Sequence, residues 1–291
     1  MTRAPAGGAI ERVGVLGCGL MGAGIAEVCA RSGAGVVVVE ASDGAVATGR
    51  KRLTASLERA VASGRLDSAA RDEVLARISF GTGIEAFADR QLVIEAVPEV
   101  LELKLDAFRR IDAAVADPEA ILASNTSSIP IGRIAAATGR PGQVLGVHFF
   151  NPVPVLPLVE LVSSLQTSPD TLARARSFAE GLGKQVILAQ DRAGFVVNAL
   201  LVPYLLSAIR MLEAGHASAE DIDTGMVAGC AHPMGPLRLA DLVGLDTTLH
   251  VANSLYGEFK EPHYAPPALL MRMVDAGRLG RKSGAGFYTY D

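Results

Sequence analysis

His148 is followed twelve residues later by Glu160, with Phe149-Phe150-Asn151-Pro152-Val153-Pro154 opening the interval between them. An imidazole with an ordinary pKa of about 6.5 accepts a proton at neutral pH, and a carboxylate beside it fixes its tautomer and stabilises the imidazolium that forms. Such a pair suits the removal of a hydroxyl proton. The chain holds 5 His and 31 Asp plus Glu, so one pairing of this kind can arise by accident and needs support from its surroundings.

A second group lies upstream. Gly17-Cys18-Gly19-Leu20-Met21-Gly22 follows a short apolar run, Ile10 to Leu16, and opens a segment of helical composition up to Arg31. Four valines, Val36 to Val39, then lead to Glu40, which reads as a parallel strand buried on both faces. In this strand, turn, helix, strand context Gly17 permits the turn, Gly19 lets the backbone approach a pyrophosphate, and Gly22 allows close packing of helix on strand. The helix start at Leu20 and Met21 favours negative charge. Glu40 is expected to bond both ribose hydroxyls and to repel a 2′-phosphate, so NAD is expected rather than NADP; no compensating arginine follows until Arg50. The bland alternative makes the glycines mere turn residues and Glu40 a solvated strand end.

The elements that must position these residues are legible in outline. Residues 43 to 77 read as two helices broken near Gly64. Strands are expected at Leu92 to Val97, Ala120 to Ala123, Gln143 to His148, Leu158 to Val162 and Lys184 to Leu188, and helices at Glu99 to Val115 and Pro169 to Gly181. His148 thus stands at the carboxyl end of its strand, the edge where ligands gather in open α/β sheets. After Asp191 strand signals stop, and helices are expected at 194–214, 218–229, 246–258 and 266–276, punctuated by Pro233, Pro236, Pro262, Pro266 and Pro267. The fold expected is α/β: a Rossmann-type dinucleotide-binding domain over residues 1–190, with a helical insertion at 43–77, then an all-helical domain over 191–291.

At 291 residues and 49% apolar content the chain can fill two cores. A net charge of −4 without a basic stripe argues against nucleic acid as a partner. Cys18, Cys29 and Cys230 lack metal-type spacing, none of His216, His232, His250 and His263 is supported as a ligand, no metal is expected, and the sparse, odd cysteine count points to the cytoplasm. Residues 1 to 9 lack the apolar core of a signal peptide and read as a flexible leader. The apolar run Phe195 to Ile209 is too short to cross a bilayer and reads as a buried helix.

Six blocks occur in order: Gly17 to Gly22, Ile94-Glu95-Ala96-Val97-Pro98-Glu99, Ser124-Asn125-Thr126-Ser127-Ser128, His148 to Pro154, Val196-Val197-Asn198, and His232-Pro233-Met234-Gly235-Pro236. Together they resemble the 3-hydroxyacyl-CoA dehydrogenase family, in its bacterial 3-hydroxybutyryl-CoA form, from Glu11 to Tyr290. The resemblance implies that His148 is the catalytic base and Glu160 its orienting partner. It implies that Ser127 and Asn198 bond the substrate, that Asn151 lies beside the nicotinamide, and that Glu99, Lys104 and Lys282 contact the cofactor. Ser56 matches a position that touches CoA. The family's nearby lysine is replaced by Ser63, with Lys51, Arg52 or Arg59 as other sources of charge, and Pro157 also departs from a common lysine.

Chemistry supports the same roles. Oxidising a secondary alcohol removes a hydride from carbon and a proton from oxygen, so a base must reach that oxygen and donors must steady the charge on it. Each assignment keeps a rival: Ser127 and Ser128 precede Pro130, where hydroxyls cap helices; Asn198 could bond a loop; Lys104 and Lys282 could be surface lysines. The expected activity is NAD-dependent interconversion of an L-3-hydroxyacyl-CoA and its 3-oxo form, on an acyl-CoA substrate of short chain, in a homodimer. A free hydroxy acid such as a sugar acid, or a hydroxyacyl group on a carrier protein, remains open on the same fold, as does an idle NAD-binding protein. The related hydroxyisobutyrate and phosphogluconate dehydrogenases use a lysine base where this chain has His148.

Overall fold

A computed structural model describes residues 9–290. The leader expected at residues 1 to 9 therefore lies outside the described residues except for Ala9. Two compact units meet in sequence at Arg192 and Ala193.

The first unit runs β1 (Arg12–Leu16), α1 (Leu20–Arg31), β2 (Gly35–Val39), α2 (Asp43–Ala62), α3 (Ser68–Ala76), β3 (Ile78–Gly81), β4 (Leu92–Glu95), α4 (Leu101–Ala114), β5 (Ile121–Ser124), α5 (Ile131–Ala135), β6 (Val144–Phe149), β7 (Leu158–Ser163), α6 (Pro169–Gly181) and β8 (Gln185–Gln190). Its eight-stranded sheet has the order β3-β2-β1-β4-β5-β6-β7-β8. Pairing is parallel except between β6 and β7. The chain moves outward from β1 in one direction, then returns to its other side at β4. The carboxyl ends of β1 and β4 thereby flank the topological switch point, where an open α/β sheet has its ligand crevice.

Apolar runs explain the central strands. Val36, Val38 and Val39 of β2 are buried, as are all four residues of β4 and of β5. Strand β3 has no such run: Ser79 is exposed, and the strand pairs only with β2 at the sheet edge, so the expected strands omitted it. Helices α2 and α3 fill the 43–77 segment, with Gly64 at φ +71° between them. Helix α4 starts at Leu101 rather than Glu99.

The second unit is helical: α7 (Val197–Glu213), α8 (Ala219–Cys230), α9 (Pro236–Val243), α10 (Leu245–Phe259) and α11 (Ala268–Asp275). Helix α9 lies where the sequence shows only proline punctuation. Pro236 lies in its first turn, where a missing N–H breaks no helical bond. Asp223 of α8 accepts from Leu237 N (2.8 Å) and Arg238 N (3.0 Å), which caps α9 from outside. The buried helix expected at 195–209 is α7, which is buried along one face. Val202, Leu205, Leu206 and Ile209 form a buried stripe at helical spacing, whereas Leu200 is 74% exposed. No helix among the described residues is long and apolar enough to cross a membrane.

Candidate active site

The nucleotide turn follows β1. Gly17 has φ +92°, and a Cβ there would lie 2.8 Å from the Ala96 carbonyl oxygen. A Cβ on Gly22 would collide with the Gly17 carbonyl. At these two positions the fold itself demands glycine. Gly19 differs: a Cβ there would meet nothing within 4 Å, so the protein's own packing does not require glycine at this position. Gly19 caps α1 without a side-chain bond, and the helix opens on Leu20, 63% exposed, and Met21. Uncapped amide groups and an open cradle fit a pyrophosphate.

The middle of the turn is braced from two sides. Glu40 accepts from the Cys18 N–H with one oxygen and from Ala41 N (3.2 Å) with the other. Arg52 of α2 donates to the Cys18 carbonyl at 2.9 Å. The sequence offers Arg52 only as a source of charge for CoA; its place at this turn depends on how α2 packs. Arg50 instead stacks over Phe80, 4.5 Å from the ring centre. Burial, then the Glu40 charge, push the Cys18 thiol up to about 12, so it remains neutral in the turn.

The reaction cluster is built by the antiparallel pair. His148 and Glu160 are register partners across β6 and β7, which puts their side chains side by side on one face of the sheet. Nδ1 of His148 lies 2.7 Å from Glu160 Oε2, with the two residues 4% and 0% exposed. An ionised carboxylate only accepts, so Nδ1 carries the proton and Nε2 offers its lone pair. Ser127 Oγ lies 3.0 Å from that Nε2. Phe150 meets the imidazole edge-on at 4.6 Å between ring centres.

Ser127 stands on a loop after β5 that one carboxylate organises. Glu99 accepts from the Thr126 hydroxyl, from Ser127 N (3.0 Å), from Ser128 N (3.1 Å) and from Ser128 Oγ (2.9 Å). Asn125 Oδ1 accepts from Phe149 N at 2.9 Å and ties the loop to the end of β6. Lys104, read as a surface lysine under the rival view, is only 1% exposed. Its ammonium reaches Glu95 Oε1 (2.6 Å), Glu99 Oε2 (3.2 Å) and the Val97 carbonyl (3.3 Å), which takes up its three N–H bonds. Glu95, completely buried, also accepts from Ser124 Oγ (2.6 Å) and Val97 N (2.7 Å). Residues 95, 99, 104 and 124 thus form one network beneath Ser127.

Burial raises the Glu99 pKa, but the Lys104 charge and the hydroxyls of Thr126 and Ser128 outweigh it, and the net shift is downward. The loop's stabilisation by this group is complete above the ordinary glutamate pKa and is lost as pH falls through the depressed value. Glu99→Gln is expected to lower stability at neutral pH and to flatten the acid limb of a stability profile. Urea unfolding from pH 3 to pH 7 checks both, and an unchanged acid limb counts against the network.

The remaining expected residues are placed as follows. Asn151 is exposed in the turn after β6, joined to Pro152 by a cis peptide bond. Ser56 is partly buried on α2, and Ser63 closes that helix, its Oγ accepting from Arg65 Nε at 2.8 Å. Asn198 and Lys282 belong to the second unit: Asn198 in the first turn of α7, Lys282 paired with Asp246 at 2.6 Å. Ser127, His148, Glu160, Glu99 and Lys104 are one connected cluster. The sequence holds Glu95 and Asn125 only within the family blocks and offers Arg52 only as charge for CoA, while Lys184 carries no signal there; packing alone gives all four their places.

A nucleotide cradle at the switch point and an oriented imidazole at the same sheet edge are the parts of a hydride-transferring alcohol dehydrogenase. The NAD-binding domain model of 3-hydroxyacyl-CoA dehydrogenase matches residues 12–192, and that family's C-terminal domain model matches residues 194–290. The chain belongs to the 3-hydroxyacyl-CoA dehydrogenase family. It is 60% identical over 283 residues to the 3-hydroxybutyryl-CoA dehydrogenase of Mycobacterium tuberculosis, covering 97% of this chain and 99% of that one. The crystal structure of FadB2 from M. tuberculosis superposes with a TM-score of 0.96 at 59% identity, over 98% of this chain and all of that one (100%). The (S)-3-hydroxybutyryl-CoA dehydrogenase of Ralstonia eutropha superposes with a TM-score of 0.92 at 46% identity, over 97% and 100%. As in the family, the first unit is an NAD-binding domain, and the enzyme is an oxidoreductase that uses NAD.

Proposed function

We propose that the chain interconverts short-chain L-3-hydroxyacyl-CoA, 3-hydroxybutyryl-CoA in the first instance, and the 3-oxoacyl-CoA. The observation that carries this reading is the line from Glu160 through both nitrogens of His148 to Ser127 Oγ. Bound NAD supplies the hydride acceptor. Gly17, Gly19, Leu20, Met21 and Gly22 would hold its pyrophosphate, Glu40 its ribose and Asn151 its nicotinamide, with Lys282 a further cofactor contact. His148 Nε2 takes the proton of the 3-hydroxyl in place of its bond to Ser127, and Glu160 stabilises the imidazolium. In reduction the same imidazolium returns the proton. Ser127 Oγ and the Asn198 amide donate to the 3-oxygen, and Ser56 contributes to the CoA side. Glu99 and Lys104 act by fixing the Ser127 loop, because their polar atoms are engaged there.

Initial rates with NADH on acetoacetyl-CoA, free acetoacetate and a carrier-bound acetoacetyl group test the substrate. A large preference for the CoA ester is expected, and equal rates on the free acid overturn the reading. Glu40→Ser is expected to raise the ratio of NADPH to NADH efficiency about tenfold, which is about 1.4 kcal/mol, because it removes the carboxylate charge that a 2′-phosphate would meet. Parallel kcat/KM measurements with both cofactors check this.

We further propose a homodimer in the cytoplasm. Leu200, Met211, Val227, Tyr256 and Met271 give the helical unit apolar surface that a second copy would cover. Sedimentation equilibrium at micromolar concentration tests the dimer, and a monomer there rejects it.

A further inference from the structure

The turn between β6 and β7 carries Asn151 at its start and separates the base strand from the carboxylate strand. Its own bonds are few: Val155 N and Leu156 N both donate to the Pro152 carbonyl at 2.9 Å. Two further carbonyls of the turn, those of Val153 and Leu156, converge on a single side chain. Lys184, one residue before β8 and 9% exposed, donates from Nζ to Val153 O at 2.6 Å and to Leu156 O at 2.7 Å. Val153 is 2% exposed and rests on α1 at Gly24, where a Cβ would lie 2.8 Å from Val153 Cβ. The turn is thus packed on a glycine that leaves it room and bonded at two carbonyls by one ammonium. Charge-assisted bonds to two carbonyls are strong and directional, and a neutral aliphatic chain cannot supply them.

None of the assigned roles uses this lysine. We propose that Lys184 is a positioning residue for the reaction, setting the Pro152–Leu156 turn so that Asn151 meets the cofactor. It touches neither substrate nor cofactor and acts through the turn. The proposal rests on the reading of Asn151 as a nicotinamide contact.

The test is a double-mutant cycle with Lys184→Met, Lys184→Gln, Asn151→Ala and the combined variants. kcat and KM are measured on acetoacetyl-CoA, and NADH affinity by fluorescence titration. Lys184→Met is expected to lower kcat by on the order of 10-fold to 100-fold, the scale of a small misplacement of a reacting partner. Lys184→Gln, which keeps amide donors, is expected to lose less. In the Asn151→Ala background the Lys184 substitutions are expected to cost little more. Losses that multiply fully across the cycle overturn the proposal, as does parental activity in Lys184→Met. Failure of both Lys184 variants to fold makes the residue part of the structural frame and overturns it as well. An inactive parent chain is a different result: it rejects the functional reading, while NADH affinities of the same variants still decide whether Lys184 acts through Asn151.

Discussion

His148→Gln is expected to reduce turnover of acetoacetyl-CoA by about 10²-fold to 10⁴-fold, the usual worth of a positioned general acid or base. NADH affinity is expected to stay within a few-fold of the parent. Glutamine fills similar space and can bond Glu160 or Ser127, but it neither accepts nor releases a proton at neutral pH. Glu160 bonds the far side of the imidazole at 2.7 Å, so Glu160→Gln attacks the same function by another route. A carboxamide can donate to Nδ1, which then moves the ring proton to Nε2 and removes the lone pair that faces Ser127. Its loss is expected to be of the same order. Stopped-flow reduction kinetics with NADH titrations on both variants separate chemistry from binding. Retention of more than a tenth of parental kcat by His148→Gln would remove the imidazole from the proton transfer.

What made the pair readable was sequence spacing; what brings the two side chains together is register. Two strands ending and beginning within twelve residues could be read from Gln143 to His148 and from Leu158 to Val162. That they run antiparallel, with residue 148 opposite residue 160, is a tertiary fact. The nucleotide turn was more fully legible, because Gly17 and Gly22 answer to local backbone demands that a single sequence displays. Elements at edges were not. Strand β3 lacks an apolar run since only β2 flanks it, and α9 hid behind Pro236 at its first turn. Burial of a charged side chain leaves the weakest trace of all. Lys104 looks like any lysine on an amphipathic helix until Glu95 and Glu99 are seen to converge on it. Lys184 is hidden for the same reason, its partners being backbone carbonyls of residues some thirty positions away.

Lys104→Met is expected to be the most destabilising of the substitutions considered. The methionine fits the volume, but it leaves Glu95, 0% exposed, and Glu99 without the ammonium that lies 2.6 Å and 3.2 Å from them. Breaking a buried pair from one side typically costs about 3–5 kcal/mol, because the remaining charge stays out of water without compensation. In a domain of this size that loss corresponds to roughly 6–20 °C in the unfolding midpoint. Replacing the carboxylate as well separates this cause from simple loss of packing. In Lys104→Met with Glu95→Gln the amide oxygen still accepts from Ser124 Oγ or Val97 N, and the stranded charge is gone. The double variant is therefore expected to recover a large part of the midpoint. Turnover is expected to recover less, since Glu99 would still lack its cation and the Ser127 loop it holds would remain loose. Thermal denaturation of the two variants beside the parent decides the matter: a single variant within 2 °C of the parent would show that Lys104 carries no such load.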